Sequence, residues 1–213
     1  NDVRDHWWNE DYLRFLAGHW RAEDICTALD VGCGVGHWGR LLSRVLPDTC
    51  RMTGVDRETI WVQKATERAQ AAGLSHRLTY QVGTAEALPF EDGSFDLVTC
   101  QTLLMHLRDP ARGLAEMVRV TRPGGLVLVT EPTNVLGPVL LDALVIQEPL
   151  DSIASLLRFQ LQCQQGKRRL GKGNDLIGDS LPALFAAAGL EQVELRLNDR
   201  VNSILPPYRS SAA

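Results

Sequence analysis

Basic residues are not in excess in this 213-residue sequence, in which 22 Lys and Arg stand against 26 Asp and Glu. The net charge of −4 argues against a nucleic-acid partner, because nucleic-acid-binding domains are usually strongly basic. One basic group, Lys167-Arg168-Arg169 with Lys172, lies among glycines and is expected in a solvated loop. We therefore expect no nucleic-acid partner.

Long apolar runs and paired cysteine motifs are also missing. The longest apolar stretch, Val135 to Ile146, is interrupted by Pro138 and Asp142 and is too short to span a bilayer. The five cysteines form no C-x-x-C pair, which argues against a disulfide framework and a zinc site. No signal peptide is visible at the N-terminus. We expect a cytoplasmic protein with no membrane partner and no metal.

What the chain does contain is a regular alternation of strand and helix patterns. Short apolar runs alternate with helical spacing of apolar residues, which predicts an α/β fold with a doubly wound, mostly parallel sheet. The predicted strands are Thr27–Val31, Arg51–Val55, Leu78–Val82, Phe95–Cys100, Leu126–Thr130 and Val193–Leu197. The predicted helices are 38–46, Thr59–Ala72, Pro110–Val120 and Leu181–Ala188. Residues 1–213 are expected to form a single domain, with an N-terminal helical arm at 1–20 and a helical insertion at 137–170 after the fifth strand.

A glycine-rich stretch, LDVGCGVGHWG, connects the first predicted strand to the next helix. Gly34, Gly36 and Gly39 satisfy the G-x-G-x-x-G pattern of dinucleotide-binding turns. Gly32, Gly34 and Gly36 also satisfy an acidic-x-G-x-G-x-G pattern together with Asp30. A carboxylate next to the turn would repel a pyrophosphate and attract a cation, so Asp30 favours a cationic cofactor.

Five stretches, in the same order along the chain, resemble the class I S-adenosylmethionine-dependent methyltransferases, and in particular the small-molecule group that includes the ubiquinone/menaquinone methyltransferases. They are LDVGCGVG from Leu29, Gly54-Val55-Asp56, AEALPF from Ala85, Phe95–Val98 with Leu104-Met105-His106-Leu107, and RVTRPGGLVL from Arg119. The dinucleotide alternative explains none of the last three. The resemblance implies a Rossmann-like methyltransferase fold.

The resemblance also implies a cofactor, S-adenosylmethionine, with S-adenosylhomocysteine as the product. An acidic residue after the second strand, here Asp56, is well suited to accept hydrogen bonds from both hydroxyls of a ribose. The implied cofactor-binding residues are Asp30, Gly32, Cys33 and Gly34 for the methionine portion, Asp56 for the ribose, Arg57, Ala85 and Glu86 for the adenine, and Gln101 for the methionine end. Thr84 departs from the family, which often has an acidic residue there.

The implied reaction is an in-line displacement that moves the methyl group to a small-molecule acceptor. No catalytic residue is assigned: His106 is a candidate base or a structural residue, and Glu131 could face the substrate. The arm and the insertion are expected to form the acceptor pocket, with Trp8 and Tyr12 either closing over the cofactor or packing on the domain. An NAD(P)-dependent oxidoreductase and a non-catalytic S-adenosylmethionine-binding domain are the alternatives. The acceptor, the oligomeric state and a seventh strand stay open.

Overall fold

A computed structural model describes residues 8–132 and 149–196. Its centre is a five-stranded sheet made of β1 (Thr27–Val31), β2 (Arg51–Asp56), β3 (Leu78–Val82), β4 (Phe95–Gln101) and β5 (Thr121–Thr130). The strands lie in the order β3-β2-β1-β4-β5, and all four pairings are parallel. The chain reverses its direction of travel across the sheet between β1 and β4, which confirms the doubly wound topology. Ligands of such sheets bind at this switch point, outside the carboxyl ends of the strands.

Six α-helices of the described residues accompany the sheet. They are α1 (Glu10–His19), α2 (His37–Leu42), α3 (Thr59–Ala71), α4 (Pro110–Val120), α5 (Leu150–Arg169) and α6 (Ile177–Ala187). Two short 3₁₀ helices cover Ala22–Asp24 and Leu104–His106. None of the described helices is both long and apolar enough to cross a membrane.

Helix α4 shows how local sequence sets the ends of an element. The side chain of Asp109 accepts a hydrogen bond from the N–H of Arg112 at 3.0 Å, and Pro110 occupies the first helical position. An acidic N-cap followed by proline is a favourable helix start, because proline has no N–H to leave unpaired. The predicted bounds of this helix are confirmed.

Helix α2 is shorter than its apolar spacing predicts. The N–H groups of Arg44 and Val45 bond to carbonyls three residues back, so the chain leaves the α-helix after Leu42. Leu46 is nevertheless buried, and Pro47 follows it. The apolar pattern of residues 38–46 therefore predicts correctly which side chains are buried. It does not predict the end of the helix, because the turns tighten after Leu42.

Two apolar layers cover the two faces of the sheet. One contains side chains of α4 and α6, and the other contains side chains of α1, α2 and α3. Strand β1 contributes to both, because successive side chains of a strand point to opposite faces. Leu29 and Val31 belong to the first layer and Ala28 to the second. By the same alternation, Asp30 faces the side of the sheet that α2 covers.

The described part of the N-terminal arm packs on the domain. Leu13 of α1 is fully buried, and Leu16 and Ala17 are nearly so. The ring of Trp8 lies 5.2 Å from the ring of Trp38 on α2, measured between centroids. This packing supports the expectation that the arm is held to the domain by apolar contacts.

The C-terminal third matches the sequence predictions only in part. Helix α5 agrees with the helical insertion predicted at 137–170, and its described residues are all at least partly exposed. The sixth strand predicted at Val193–Leu197 is wrong for residues 193–196, which are not in a strand; Glu194 and Arg196 pair locally at 2.8 Å. An alternating sequence forms a strand only where a neighbouring backbone is available for pairing. Outside the described residues lie residues 137–148 of the insertion, Leu197 and the tail that follows it.

The packing of α1 leads to a stability prediction. Replacing the fully buried Leu13 by Ala should lower the free energy of unfolding by about 2–5 kcal/mol, the usual cost of such a core truncation. The matched control is Phe15→Ala on the exposed side of the same helix, which should change it by less than about 0.5 kcal/mol. Urea unfolding followed by circular dichroism measures both, and equal effects would show that α1 is not part of the core.

Candidate functional site

The glycine turn after β1 has a backbone that only glycine adopts easily. Gly32, Gly34 and Gly36 have φ values of 69°, 50° and 71°, all in the left-handed region. A Cβ on Gly32 would lie 2.6 Å from Leu103 Cδ1, and one on Gly36 would lie 2.5 Å from the hydroxyl oxygen of Tyr80. The chain's own packing thus requires glycine at both ends of this turn.

Asp56, at the end of β2, joins this turn to its neighbours. Its Oδ2 accepts the N–H of Gly34 at 2.9 Å, and its Oδ1 accepts the N–H of Glu58 at 3.0 Å. Its backbone carbonyl accepts the N–H of Gly83, which follows β3, at 3.0 Å. Each carboxylate oxygen has two lone pairs, so both retain capacity for a further donor such as a ligand hydroxyl.

Asp30 differs from the expectation drawn from the sequence. It is 1% exposed and lies under α2, where a Cβ on Gly39 would be 3.5 Å from its Oδ2 and 3.8 Å from the Tyr80 hydroxyl oxygen. Neither carboxylate oxygen has a partner within hydrogen-bond geometry. Burial raises the pKa of Asp30 to about 8, although the Gly39 N–H acts to lower it. Because Asp30 precedes the last residue of β1, strand alternation turns it under the helix, so it is buried where the sequence led us to expect a charge next to the turn. Its contact with the methionine portion of a cofactor stays a prediction.

Polar side chains near Asp30 complete this buried layer. The indole Nε1 of Trp38 donates to the hydroxyl of Thr99 at 2.9 Å, and Thr99 is the residue of β4 that pairs in register with Asp30. The Tyr80 hydroxyl is buried without a hydrogen-bond partner, and burial raises the pKa of Tyr80 above its ordinary value. No sequence motif singles out Tyr80, and its role in shaping the turn comes only from tertiary contact.

Helix α4 holds the segment that follows β3. Ala85 is buried, and the carbonyl of Glu86 accepts the Nε–H of Arg112 at 3.1 Å. The carboxylate of Glu116 accepts the N–H of Leu88 at 2.8 Å. The segment that the resemblance places along the adenine edge is therefore fixed at its backbone.

Arg119 completes that attachment. Its guanidinium donates to the carbonyls of Leu88 at 3.0 Å and Phe90 at 2.9 Å, and it pairs with Glu116 at 2.8 Å and Asp92 at 2.7 Å. The carboxylates of Glu116 and Asp92 raise the pKa of Arg119 above its ordinary value, and Glu116 has the larger effect. Arg119 thus ties the AEALPF stretch to the RVTRPGG stretch, and we call this set of contacts the brace. In the sequence, the i, i+3 spacing of Glu116 and Arg119 indicates only the ion pair between them.

The remaining sequence-predicted residues lie at the same edge with different exposure. Gln101 is half-buried at the end of β4. Cys33 is buried in the turn, and burial raises the pKa of its thiol, so its backbone is the part available to a ligand. Arg57 is exposed and pairs with Glu58 at 3.2 Å. Burial lowers the pKa of His106, and the positive charge of Lys167 lowers it further to a smaller extent.

Glu131, a candidate for facing the substrate, is directed to backbone N–H groups. Its carboxylate accepts N–H groups of the segment after β4, and burial raises its pKa to about 7. The structure therefore brings Gly32, Cys33, Gly34 and Asp56 into one hydrogen-bonded unit. It turns Asp30 under the helix and Arg57 toward solvent.

Comparison with known proteins identifies the domain. Residues 29–129 match the family model described as a methyltransferase domain. The glycine/sarcosine/dimethylglycine N-methyltransferase of Actinopolyspora halophila is 32% identical over 95% of this chain and 35% of its own length. The ubiquinone/menaquinone biosynthesis C-methyltransferase UbiE of Enterobacter sp. (strain 638) is 29% identical over 79% of this chain and 67% of its own. Other curated relatives are also longer than this chain, which spans 34% of one and 56% of another.

Solved structures agree with this match. The crystal structure of YcgJ from Bacillus subtilis is similar with a TM-score of 0.59 and 25% identity, over 84% of this chain and 68% of that one.

The burial of Asp30 leads to a pH prediction. The folded carboxyl keeps its proton up to a pKa of about 8, whereas an unfolded one releases it near 3.8, so its contribution to stability is full below pH 4 and is lost as pH rises through 8. Asp30→Asn removes this dependence. We expect the free energy of unfolding of the wild type to fall relative to that of the variant between pH 4 and 8, by on the order of 1–4 kcal/mol.

Urea unfolding at pH 5, 6.5 and 8 measures the difference. Asp24→Asn, an exposed change at the amino end of the sheet, is the matched control and should leave the pH dependence of the wild type unchanged. The prediction would be contradicted if the free energies of unfolding of the wild type and of Asp30→Asn changed equally with pH.

Proposed function

We propose that this chain, whose residues 29–129 match the methyltransferase-domain family, is a class I S-adenosylmethionine-dependent methyltransferase that transfers a methyl group from S-adenosylmethionine to a small-molecule acceptor. The observation that carries the proposal is the unit formed by the glycine turn and Asp56 at the switch point of the sheet. There Gly34 N–H and Asp56 Oδ2 lie 2.9 Å apart.

The residues at this edge fit the cofactor. The carboxylate of Asp56 has acceptor capacity left for the two hydroxyls of a ribose after taking two N–H groups. Gly34 presents no Cβ, so a ligand can approach its backbone closely. The buried carboxylate of Asp30 is without a hydrogen-bond partner, and a role for it toward the methionine portion stays a prediction.

When bound, S-adenosylmethionine supplies a methyl group on a positively charged sulfur, which is already activated for transfer. The protein therefore contributes chiefly by orienting the reactants, an effect that reaches about 7–11 kcal/mol in favourable systems. In this proposal the turn and Asp56 fix the cofactor, while the brace centred on Arg119 fixes the segment at the adenine edge. Gln101, at the end of β4, faces the methionine end.

The acceptor side is proposed to include the insertion. Just after the insertion, Asp175 accepts hydrogen bonds from Lys167 and Gln164 of α5, and the neighbouring Asn174 donates its N–H to the carbonyl of Met105 at 2.7 Å. The C-terminal end of α5 is thus attached next to the segment after β4. The packing of Trp8 on Trp38 favours a structural role for the arm over a lid.

A small-molecule acceptor is supported by the names of the matched relatives. One is a methyltransferase of glycine, sarcosine and dimethylglycine, and the other belongs to ubiquinone/menaquinone biosynthesis. These acceptors differ in chemistry, so we propose the class and not a particular compound. The oxidoreductase alternative is not favoured, since the family match covers the turn, the adenine-edge segment and β5 together.

Calorimetric titration tests the cofactor assignment. We expect wild-type protein to bind S-adenosylmethionine and S-adenosylhomocysteine, and Asp56→Ala to weaken both by about 10- to 100-fold, because the ribose hydroxyls and the Gly34 N–H lose their acceptor. Asp24→Ala, which lies at the amino end of the sheet just before β1, should bind both compounds as tightly as the wild type does. Binding of NADH alone would overturn the proposal.

Transfer itself needs a separate measurement. Incubation with methyl-labelled cofactor and pools of small amines, acids and phenolic compounds should yield labelled product that Asp56→Ala forms far more slowly. Cofactor binding without transfer to any pool would favour the non-catalytic alternative.

A further inference from the structure

Glu131 lies directly after β5 and faces the segment that leaves β4. Its Oε1 accepts the N–H of Leu103 at 2.7 Å and of Leu104 at 2.6 Å, and its Oε2 lies 3.4 Å from the N–H of Met105. One carboxylate thus meets three successive backbone donors. Within the described part of the chain, its hydrogen-bond partners are these backbone groups and no side chain.

The segment after β4 needs such a partner. The first N–H groups of a helix have no acceptor within the helix, and here the 3₁₀ helix begins at Leu104. Thr102 has a φ of 50°, a left-handed conformation that costs free energy for a residue other than glycine. The Thr102 N–H donates to the carbonyl of Thr130 at 2.8 Å, which extends the pairing of β4 with β5 by one residue. Glu131, the next residue after Thr130, supplies the acceptor that the backbone lacks.

On one side this segment touches the glycine turn. The Leu103 side chain lies so close to Gly32 that a Cβ there would be 2.6 Å from Leu103 Cδ1. The N–H that Glu131 binds belongs to this same Leu103. The position of the Leu103 side chain over the turn therefore depends on the bond to Glu131.

On the other side the segment touches the C-terminal part of the chain. A Cβ on Gly173 would lie 1.9 Å from the carbonyl oxygen of Met105, and that oxygen accepts the N–H of Asn174 at 2.7 Å. Glu131 thus holds a segment that lies between the proposed cofactor site and the proposed acceptor side.

The pKa of Glu131 reflects both its burial and its hydrogen bonds to backbone N–H groups. Burial raises its pKa to about 7, while the N–H groups of Leu104, Leu103 and Met105 act to lower it. Hydrogen bonds from backbone N–H groups to an ionised carboxylate are stronger than those to a neutral acceptor, and this offsets part of the cost of burial.

We propose that Glu131 is a positioning residue for methyl transfer, which holds residues 102–105 against the glycine turn and so keeps the cofactor pocket formed. This rests on the proposed function. It assigns to Glu131 no contact with substrate.

The test compares Glu131→Ala and Glu131→Gln in the full chain, with the exposed Glu67→Ala as the matched control. Hydrogen exchange measured by mass spectrometry on peptides covering residues 101–107 reports the segment, and calorimetry reports affinity for S-adenosylmethionine. Glu131→Ala should speed exchange of the amides of residues 103–105, and weaken cofactor binding, by about tenfold or more each, the size of a lost helix cap. Glu131→Gln keeps an acceptor oxygen and should stay within about threefold of the wild type in both.

A second variant covers the case in which Glu131→Ala does not fold. Leu103→Ala leaves the backbone bonds to Glu131 in place but removes the contact with Gly32, so it should weaken cofactor binding while the amides of 103–105 stay protected. Unchanged cofactor affinity in folded Glu131→Ala, or a Gln variant as impaired as the Ala variant, would overturn the inference. Failure of the wild type to bind S-adenosylmethionine would instead overturn the proposed function, and the exchange result would still decide whether Glu131 holds the segment.

Discussion

Carboxylates that accept backbone N–H groups at the carboxyl edge of the sheet are the interaction on which the site depends. A parallel sheet ends its strands on one side, and the chain leaving each strand has donors without a strand partner. Asp56 takes the N–H groups of Gly34 and Glu58, and Glu131 takes those of Leu103 and Leu104. The two carboxylates hold the loops after β1 and β4, on either side of the switch point, in fixed positions. The two loops thus form the backbone surface that the proposed cofactor would contact.

The same edge also contains a group that the fold does not satisfy. Asp30 is buried with both carboxylate oxygens unpartnered, and its raised pKa shows that the apolar surroundings disfavour its charge. Buried polar groups are normally hydrogen-bonded, and exceptions concentrate at functional sites. Asp30 is thus where this domain gives up stability, directly beneath the turn proposed to bind the cofactor.

Most of the sheet was predictable because its signals are local. β1 and β3 have their predicted bounds, and Asp109 and Pro110 place the start of α4, since strand alternation and helix capping involve only near neighbours. The end of α2 was mispredicted because tightened turns end the helix while the apolar spacing continues. The state of residues 193–196 was mispredicted because a strand needs a neighbouring backbone that local sequence does not supply. The cofactor residues were predicted from motifs, and the structure joins four of them. It adds Tyr80, Leu103 and Arg119, whose parts in the site arise from contacts between distant segments.

The sequence by itself determined the order of most strands and helices, the glycine turn, the acidic residue that ends β2 and the resemblance to a methyltransferase family, because each depends on short runs of residues. Tertiary structure decided the orientation of the side chains. It buried Asp30 under α2, and it directed Glu131 to backbone N–H groups of the segment after β4. The physical reason is that a side chain's charge and partners depend on what packs against it, and at this edge a neighbour can lie far along the chain, as Thr99 does from Asp30.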